Sequence, residues 1–216
     1  MNDPWFSWSY VVGHRDDILT ATREHVTLTL IAVIFGLLLA VPLALVARRW
    51  RWTTTPILTV AGIVYTIPAL ALFAALLPFT GLTTLTVEIG LISYTLLILV
   101  RNVLAGLDGV PEEVREAARG MGFRGARLLT RVELPLALPA ILAGVRVATV
   151  STVALVTVGA IVGHGGLGGL ILEGLNSLYR TEVVAASLAC VLLALVADLL
   201  LLGLQRLLTP WDRSRA

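Results

Sequence analysis

The chain reads as an all-α membrane bundle of about five spans, on three observations: an apolar composition, five apolar runs of spanning length, and basic clusters that alternate with those runs. Apolar residues fill 57% of its 216 positions and charged residues 14%, with mean hydropathy +0.91, whereas soluble domains carry roughly 25% charged residues. Lipid is therefore the expected solvent for most of the surface. Every one of the 16 basic residues is Arg. The Lys of a P-loop is absent, so the chain carries no nucleotide site of that kind. A net charge of +2, dispersed along the chain, gives no nucleic-acid footprint.

Crossing the ~30 Å hydrocarbon core takes roughly 20 mainly apolar residues. The runs that qualify are Val26 to Ala47, Ile57 to Phe79, Thr86 to Leu107, Leu138 to Val162 and Val183 to Leu204. The first is too long for a signal-peptide core and has no basic region before it, so it is expected to remain as an anchor. Between the runs, Arg48, Arg49 and Arg51 follow the first, and Arg115, Arg119, Arg124, Arg127 and Arg131 lie between the third and fourth. Arg206, Arg213 and Arg215 follow the fifth. All three clusters fall on one side of a five-span bundle, which predicts an external N-terminus and a cytoplasmic C-terminus by the positive-inside rule. Trp50, Trp52 and Trp211 stand beside them, at the expected interface level. Residues 1–25 then form an external arm, 26–204 the membrane domain and 205–216 a cytoplasmic tail.

Gly163 to Thr181 is Gly-rich, and its apolar part, Leu167 to Leu175, is too short to cross a bilayer. A re-entrant or interfacial segment is expected there, with a sixth span as the alternative. Gly163-His164-Gly165-Gly166-Leu167-Gly168 formally matches a dinucleotide fingerprint, but that motif needs a preceding strand and a βαβ unit. A sharp turn and close helix approach explain these glycines better.

The central loop, 108–135, is the most informative segment. Pro111 suits a first helical position, Glu112 and Glu113 complement the positive end of a helix, Arg119 complements its negative end, and Gly120 or Gly122 supplies a stop. A short helix is predicted from Pro111 to Arg119. Val114, Ala117, Ala118 and Met121 fall on one apolar stripe. The polar face mixes Glu112, Glu113 and Glu116 with Arg115 and Arg119, whereas a helix lying on anionic lipid carries mainly basic residues. This face suits a protein partner.

Glu116-Ala117-Ala118, Gly122 three residues on, and Val132-Glu133-Leu134-Pro135 after nine more resemble the EAA loop of binding-protein-dependent importers. Val132 replaces the usual Ile. Thr66 to Ala71, Arg101-Asn102, Val132 to Leu138, Ala143 to Arg146 and Gly165 to Gly168 extend the likeness to the osmoprotectant branch, which moves glycine betaine, choline, carnitine and related quaternary amines. Tyr65, Ile98, His164 and Gly169 depart from that branch's usual residues, and these departures bear on the identity of the solute. The resemblance implies a MetI-like permease fold with a cytoplasmic coupling helix. It further implies a second permease subunit, identical or paralogous, cytoplasmic ATPase subunits and an external solute-binding protein, in a bacterial cell membrane. Glu116, Ala117, Ala118, Arg119, Gly120, Met121 and Gly122 become the expected ATPase-coupling residues. A permease for another small solute such as an amino acid, or a secondary transporter, is the alternative. The latter needs coupling carboxylates near the bilayer centre, and none is mapped there.

Arg101, Arg146 and Asp198 lie at a similar depth, about six to eight residues inside the Arg-rich end of their runs. Intramembrane charge is costly unless paired, so Asp198 is expected to pair with one of the two Arg, with snorkelling as the alternative for the Arg. Glu88 is mapped near the outer end of its run, with solvent access. Tyr65, Pro68, Tyr94, Ser151 and Thr152 are the expected lining of a solute path, with helix packing or interhelical hydrogen bonding as the competing reading. Pro68 is expected to kink the second span. His14, His25 and His164 are mapped outside the apolar core, and Cys190 lies inside a run, where packing is its expected role. No metal or cofactor site is expected.

Overall fold

The computed structural model describes residues 5–211, and among these the regular elements are helical. Arg213 and Arg215, assigned above to the third basic cluster, lie outside the described residues. A short helix α1 (Trp8–Gly13) leads into α2 (Arg15–Arg49). The latter has Asp16 and Asp17 in its first turn and Arg48 and Arg49 in its last, the arrangement that the helix dipole favours. Its 35 residues reach about 52 Å at 1.5 Å per residue. That exceeds the hydrocarbon core, and the helix begins well before Val26.

Along α2 the buried residues Ala32, Gly36, Ala40 and Ala44 recur every fourth position. This small-residue seam lets a neighbouring helix approach closely. The neighbour is α5 (Thr84–Asp108), the central helix of the bundle. A Cβ on Gly36 would overlap the Thr95 hydroxyl of α5. On its other side α5 meets α8 (Leu134–Val156), with Gly144 pressed on Asn102 and Gly106 on Ala137. Two apolar cores result. One, toward the Arg-rich end, gathers Ala40, Ala44, Leu99, Val103, Leu107, Ala137 and Ile141, and the other, toward the opposite end, gathers Leu28, Phe73, Val87, Leu91, Val156 and Val162.

The second run departs from its expected form. Ile57 to Phe79 is a broken span: α3 (Thr54–Thr66) and α4 (Ala69–Thr80) meet at 98°. Ile67 is extended at φ −66°, ψ 129° and Pro68 caps α4 at φ −56°, ψ 135°. Proline pushes the preceding residue out of the helical region, which turns the expected kink into a break. Among the described residues four helices are long and apolar enough to cross a membrane, and the bent pair makes up to five spans.

Between α5 and α8 lie α6 (Glu112–Gly120), the one-turn α7 (Gly125–Leu128) and a π-helical turn over Leu129–Glu133. After α8 a 3₁₀ stretch (Thr157–Val162) leads to α9 (Leu167–Asn176), whose ten residues cover about 15 Å and do not cross the bilayer alone. The last helix is α10 (Arg180–Leu208). The glycines before α9 do what the turn requires: Gly166 takes φ +52°, and a Cβ there would stand 2.7 Å from Ala21 O and from His25 N.

Two placements are corrected by this packing. His25, mapped outside the core, is fully buried, with Nε2 donating to Val153 O at 2.9 Å. The helix continues past the hydropathy boundary and the Gly166 turn closes over it. Glu88, mapped as solvent-accessible, is 7% exposed, because α5 is central to the bundle along this stretch.

Candidate functional site

The Arg-rich end of the bundle carries the candidate site, and α6 is its outermost element. Pro111 is the N-cap, at φ −59°, ψ 140°, so the helix begins one residue later than its sequence signals suggest and ends one residue later, at Gly120. Met121 N donates to Ala117 O and Phe123 N to Ala118 O, which closes the C-terminus. Gly122 stands at φ +87°, a left-handed conformation that side chains with a β-branch avoid. Within α6 the one buried residue is Ala118. Val114, Ala117 and Met121, the rest of its apolar stripe, are exposed, Met121 by 72%. Glu116, Arg119 and Gly120 are exposed as well.

Beneath α6 lies an ionic cluster centred on Glu133, which is 6% exposed. Arg48, from the end of α2, donates from Nη1 to Glu133 Oε2 at 3.0 Å and from Nη2 to Oε1 at 2.6 Å. The Nε of Arg115, from α6, donates to the same Oε1 at 3.0 Å, while its Nη2 donates to Leu107 O in the last turn of α5 at 2.6 Å. Outward, Arg115 Nη1 and Arg119 Nη1 hold the two oxygens of Glu112 at 2.9 and 2.8 Å. Arg115 first, and then Arg119, keep the Glu112 carboxyl below the usual carboxylate range. Asp108 joins weakly, 3.6 Å from Arg48 Nε. A cavity of about 640 Å³ opens beside the cluster, lined by Arg48, Arg51, Thr54, Leu104, Asp108 and Arg115.

The local sequence explains why Glu133 points here. In a regular α-helix the Pro135 ring would press on the Arg131 carbonyl. The chain widens into the π-helical turn over Leu129–Glu133 before resuming α geometry at Leu134. Such turns recur at functional sites.

Within the bundle, Arg146 and Asp198 form a two-pronged bridge from α8 to α10, Nε to Oδ1 at 3.0 Å and Nη2 to Oδ2 at 2.9 Å. Arg101 is exposed and makes no ion pair among the described residues. Tyr65 and Tyr94 meet edge to face with centroids 5.9 Å apart, and the Tyr94 hydroxyl donates to Ile67 O at the α3–α4 break. Tyr65 is 41% exposed, and Pro68 stands at the break itself. Ser151 and Thr152 sit on α8, with Thr152 buried and its hydroxyl donating to Ala148 O of the same helix. No hydrogen bond or ring contact joins them to the tyrosines among the described residues.

Residues 32–213 match the family described as binding-protein-dependent transport system inner membrane component. The chain belongs to this family. It is therefore a multi-pass membrane component of a transport system and not its catalytic subunit. Among relatives, it is 37% identical to the choline transport system permease protein OpuBB of Bacillus subtilis, covering 92% of each chain. It is 36% identical to the osmoprotectant import permease protein OsmW of Salmonella typhimurium, over 93% of this chain and 96% of that one. The glycine betaine/carnitine/choline transport system permease protein OpuCB of Bacillus subtilis is 34% identical, over 94% and 93%. In three dimensions the chain superimposes on an inward-facing structure of the MetNI methionine ABC transporter with a TM-score of 0.80. That match is 20% identical and covers 91% of this chain and 98% of the other, so it speaks for the fold.

Sequence reading missed three features of this permease. Glu133 occupies a variable position of the loop motif, and its partners are 85 and 18 residues away. A lone carboxylate following five loop arginines was the available signal. The α2 seam was legible as a four-residue repeat of small residues. Glu88 and His25 were visible as residues, but their burial depends on which helix is central.

Proposed function

We propose that this chain is the membrane-spanning subunit of an ATP-binding-cassette importer for a quaternary-amine osmoprotectant of the choline, glycine betaine or carnitine type. The observation that carries the reading is relatedness of 34–37% identity over more than nine-tenths of the chain to permeases of that substrate class. Two permease subunits, identical or paralogous, join two cytoplasmic ATPase subunits and an external solute-binding protein. The Arg-rich end faces the cytoplasm, with the N-terminus outside.

Glu116 to Gly122 form the ATPase-coupling element. The exposure of Val114, Ala117 and Met121 on a helix too short to be stable alone supports a docking role, because this part of the stripe finds no cover among the described residues. ATP-driven movement of the partner shifts α6, and the bundle changes between inward- and outward-facing states. A partner shifts such an equilibrium by as much as it prefers one state.

The solute path runs past the α3–α4 break. Tyr65 offers a partly exposed ring there, and ring faces attract alkylammonium groups. Carbonyl groups freed at a break in a membrane helix line such paths in other transporters. Ser151 is proposed to line the path from α8, while Thr152, 1% exposed and bonded within its own helix, packs inside the wall.

Gly122→Val and Ala117→Trp test the reading. Gly122→Val strains a φ of +87°, and Ala117→Trp places bulk on a surface that is empty in the isolated chain. Both variants should reach the membrane in normal amounts and lose ATPase binding or ATP-coupled uptake by about tenfold or more. Ordinary coupled uptake in both would remove this loop as the coupling element.

A further inference from the structure

The Glu133 cluster offers a specific answer to how movement of α6 enters the bundle. The apolar attachment of α6 is slight, since Ala118 is its one buried residue. Its firm hold on the body is Arg115, whose side chain is 13% exposed and whose guanidinium spans three groups: Glu133 in the π-turn, the Leu107 carbonyl at the end of α5, and Glu112 on α6 itself. Glu133 in turn is held by the fork of Arg48 at the end of α2. Through two arginines and one carboxylate, α6 is tied at once to α2, α5 and the helical rod that continues as α8.

We infer that Arg48, Arg115 and Glu133 are positioning residues that fix α6 against α2, α5 and α8, so that displacement of α6 by the ATPase moves these helices together. The inference rests on the importer reading. It assigns transmission to residues outside Glu116 to Gly122, and it distinguishes docking, done by the exposed stripe, from transmission, done by the buried charges. Each charge is compensated within the cluster, and it is removal of Glu133 that leaves two guanidiniums without their shared counter-charge.

The experiment uses the complete transporter in proteoliposomes, with radiolabelled choline and glycine betaine as probes and with ATP hydrolysis and uptake measured together. Arg115→Gln is the principal variant because it leaves the Arg48–Glu133 pair intact, so the bundle keeps its buried charge balance. ATPase subunits should remain bound and hydrolyse ATP, while solute moved per ATP falls by about tenfold. Glu133→Gln should act likewise, and Glu133→Asp, which keeps the charge, should recover most of the loss. A second readout is independent of transport: in the isolated permease, amide exchange across Glu112 to Gly120 should quicken by about tenfold in Arg115→Gln, with α8 unchanged.

Unchanged solute per ATP in both Gln variants overturns the inference, and so does loss of the ATPase from the Arg115→Gln complex, which would make the cluster part of the docking surface. Should the wild-type chain bind no ATPase or move neither probe, the importer reading fails instead. The exchange measurement then judges the clamp alone, with unaltered protection of α6 refuting it.

Discussion

At Glu133 three helical segments meet on one buried carboxylate, whereas at Pro68 two helices part at 98° beside an exposed tyrosine. The first joint is made of charge: bonds of 2.6 to 3.0 Å, set by guanidinium forks whose geometry is narrow. The second is made by the backbone, from a residue that cannot continue a helix and a neighbour forced into extended geometry. A charge-built joint transmits displacement because separating its partners is expensive. A backbone-built joint lets the chain change direction and leaves groups at the break available to something else. The two therefore suit the different tasks proposed for them in one bundle, transmission at the Arg-rich end and passage of solute at the bend.

The contrast breaks most readily at Glu133. Glu133→Ala leaves Arg48 and Arg115 facing one another without their shared carboxylate, and stranding a buried charge typically costs about 3–5 kcal/mol. Thermal unfolding of the purified permease should register that loss, and a cost within experimental error of zero would show that solvent already reaches the cluster.

The bend should respond in binding before it responds in stability. Tyr65→Leu keeps the site apolar but removes the ring face, and a cation–π contact contributes about 0.5–2 kcal/mol. The concentration of choline needed for half-maximal uptake should rise by the corresponding factor, about 2- to 30-fold. Tyr65→Phe should retain most of the wild-type value. Equal behaviour of Leu and Phe would remove the ring from the path.

The smallest effect is expected at Pro68. Its φ of −56° is one that proline holds in the unfolded chain too, so Pro68→Ala should cost about 0.4–1 kcal/mol by freeing the denatured state. Thermal unfolding measures this directly, and a gain in stability would mean that the break is strained.

Local chemistry was what the sequence made legible. Dipole and capping signals placed α6 to within a residue, and Gly122, one of the two glycines read as its stop, carries a positive φ. Counting depth from the Arg-rich ends brought Asp198 and Arg146 to the same level, where they do pair. Relations between helices were less accessible. Pro68 announced an interruption, but the contact made at the break, the Tyr94 hydroxyl donating to Ile67 O, comes from α5. Hydropathy drew the first boundary at Val26, yet the helix starts at Arg15, and His25 is buried by a glycine turn more than a hundred residues later in the chain. Glu133 follows five loop arginines, but that it meets Arg115 among them, and Arg48 from α2, is settled once α2, α6 and the π-turn have packed.

The π-helical turn over Leu129–Glu133 sets the rotational phase of α8. A helix advances about 100° and 1.5 Å with each residue, and a π-turn accommodates one residue more than the α-turn it replaces. Were the turn to tighten, every side chain from Leu134 onward would be rotated relative to α7 by that angle. Glu133, the last residue of the turn, would swing out of the fork of Arg48, and Arg146, about three and a half turns further on, would leave Asp198. The two ionic contacts of this rod are thus in register with each other, and a single wide turn near its end keeps both in time.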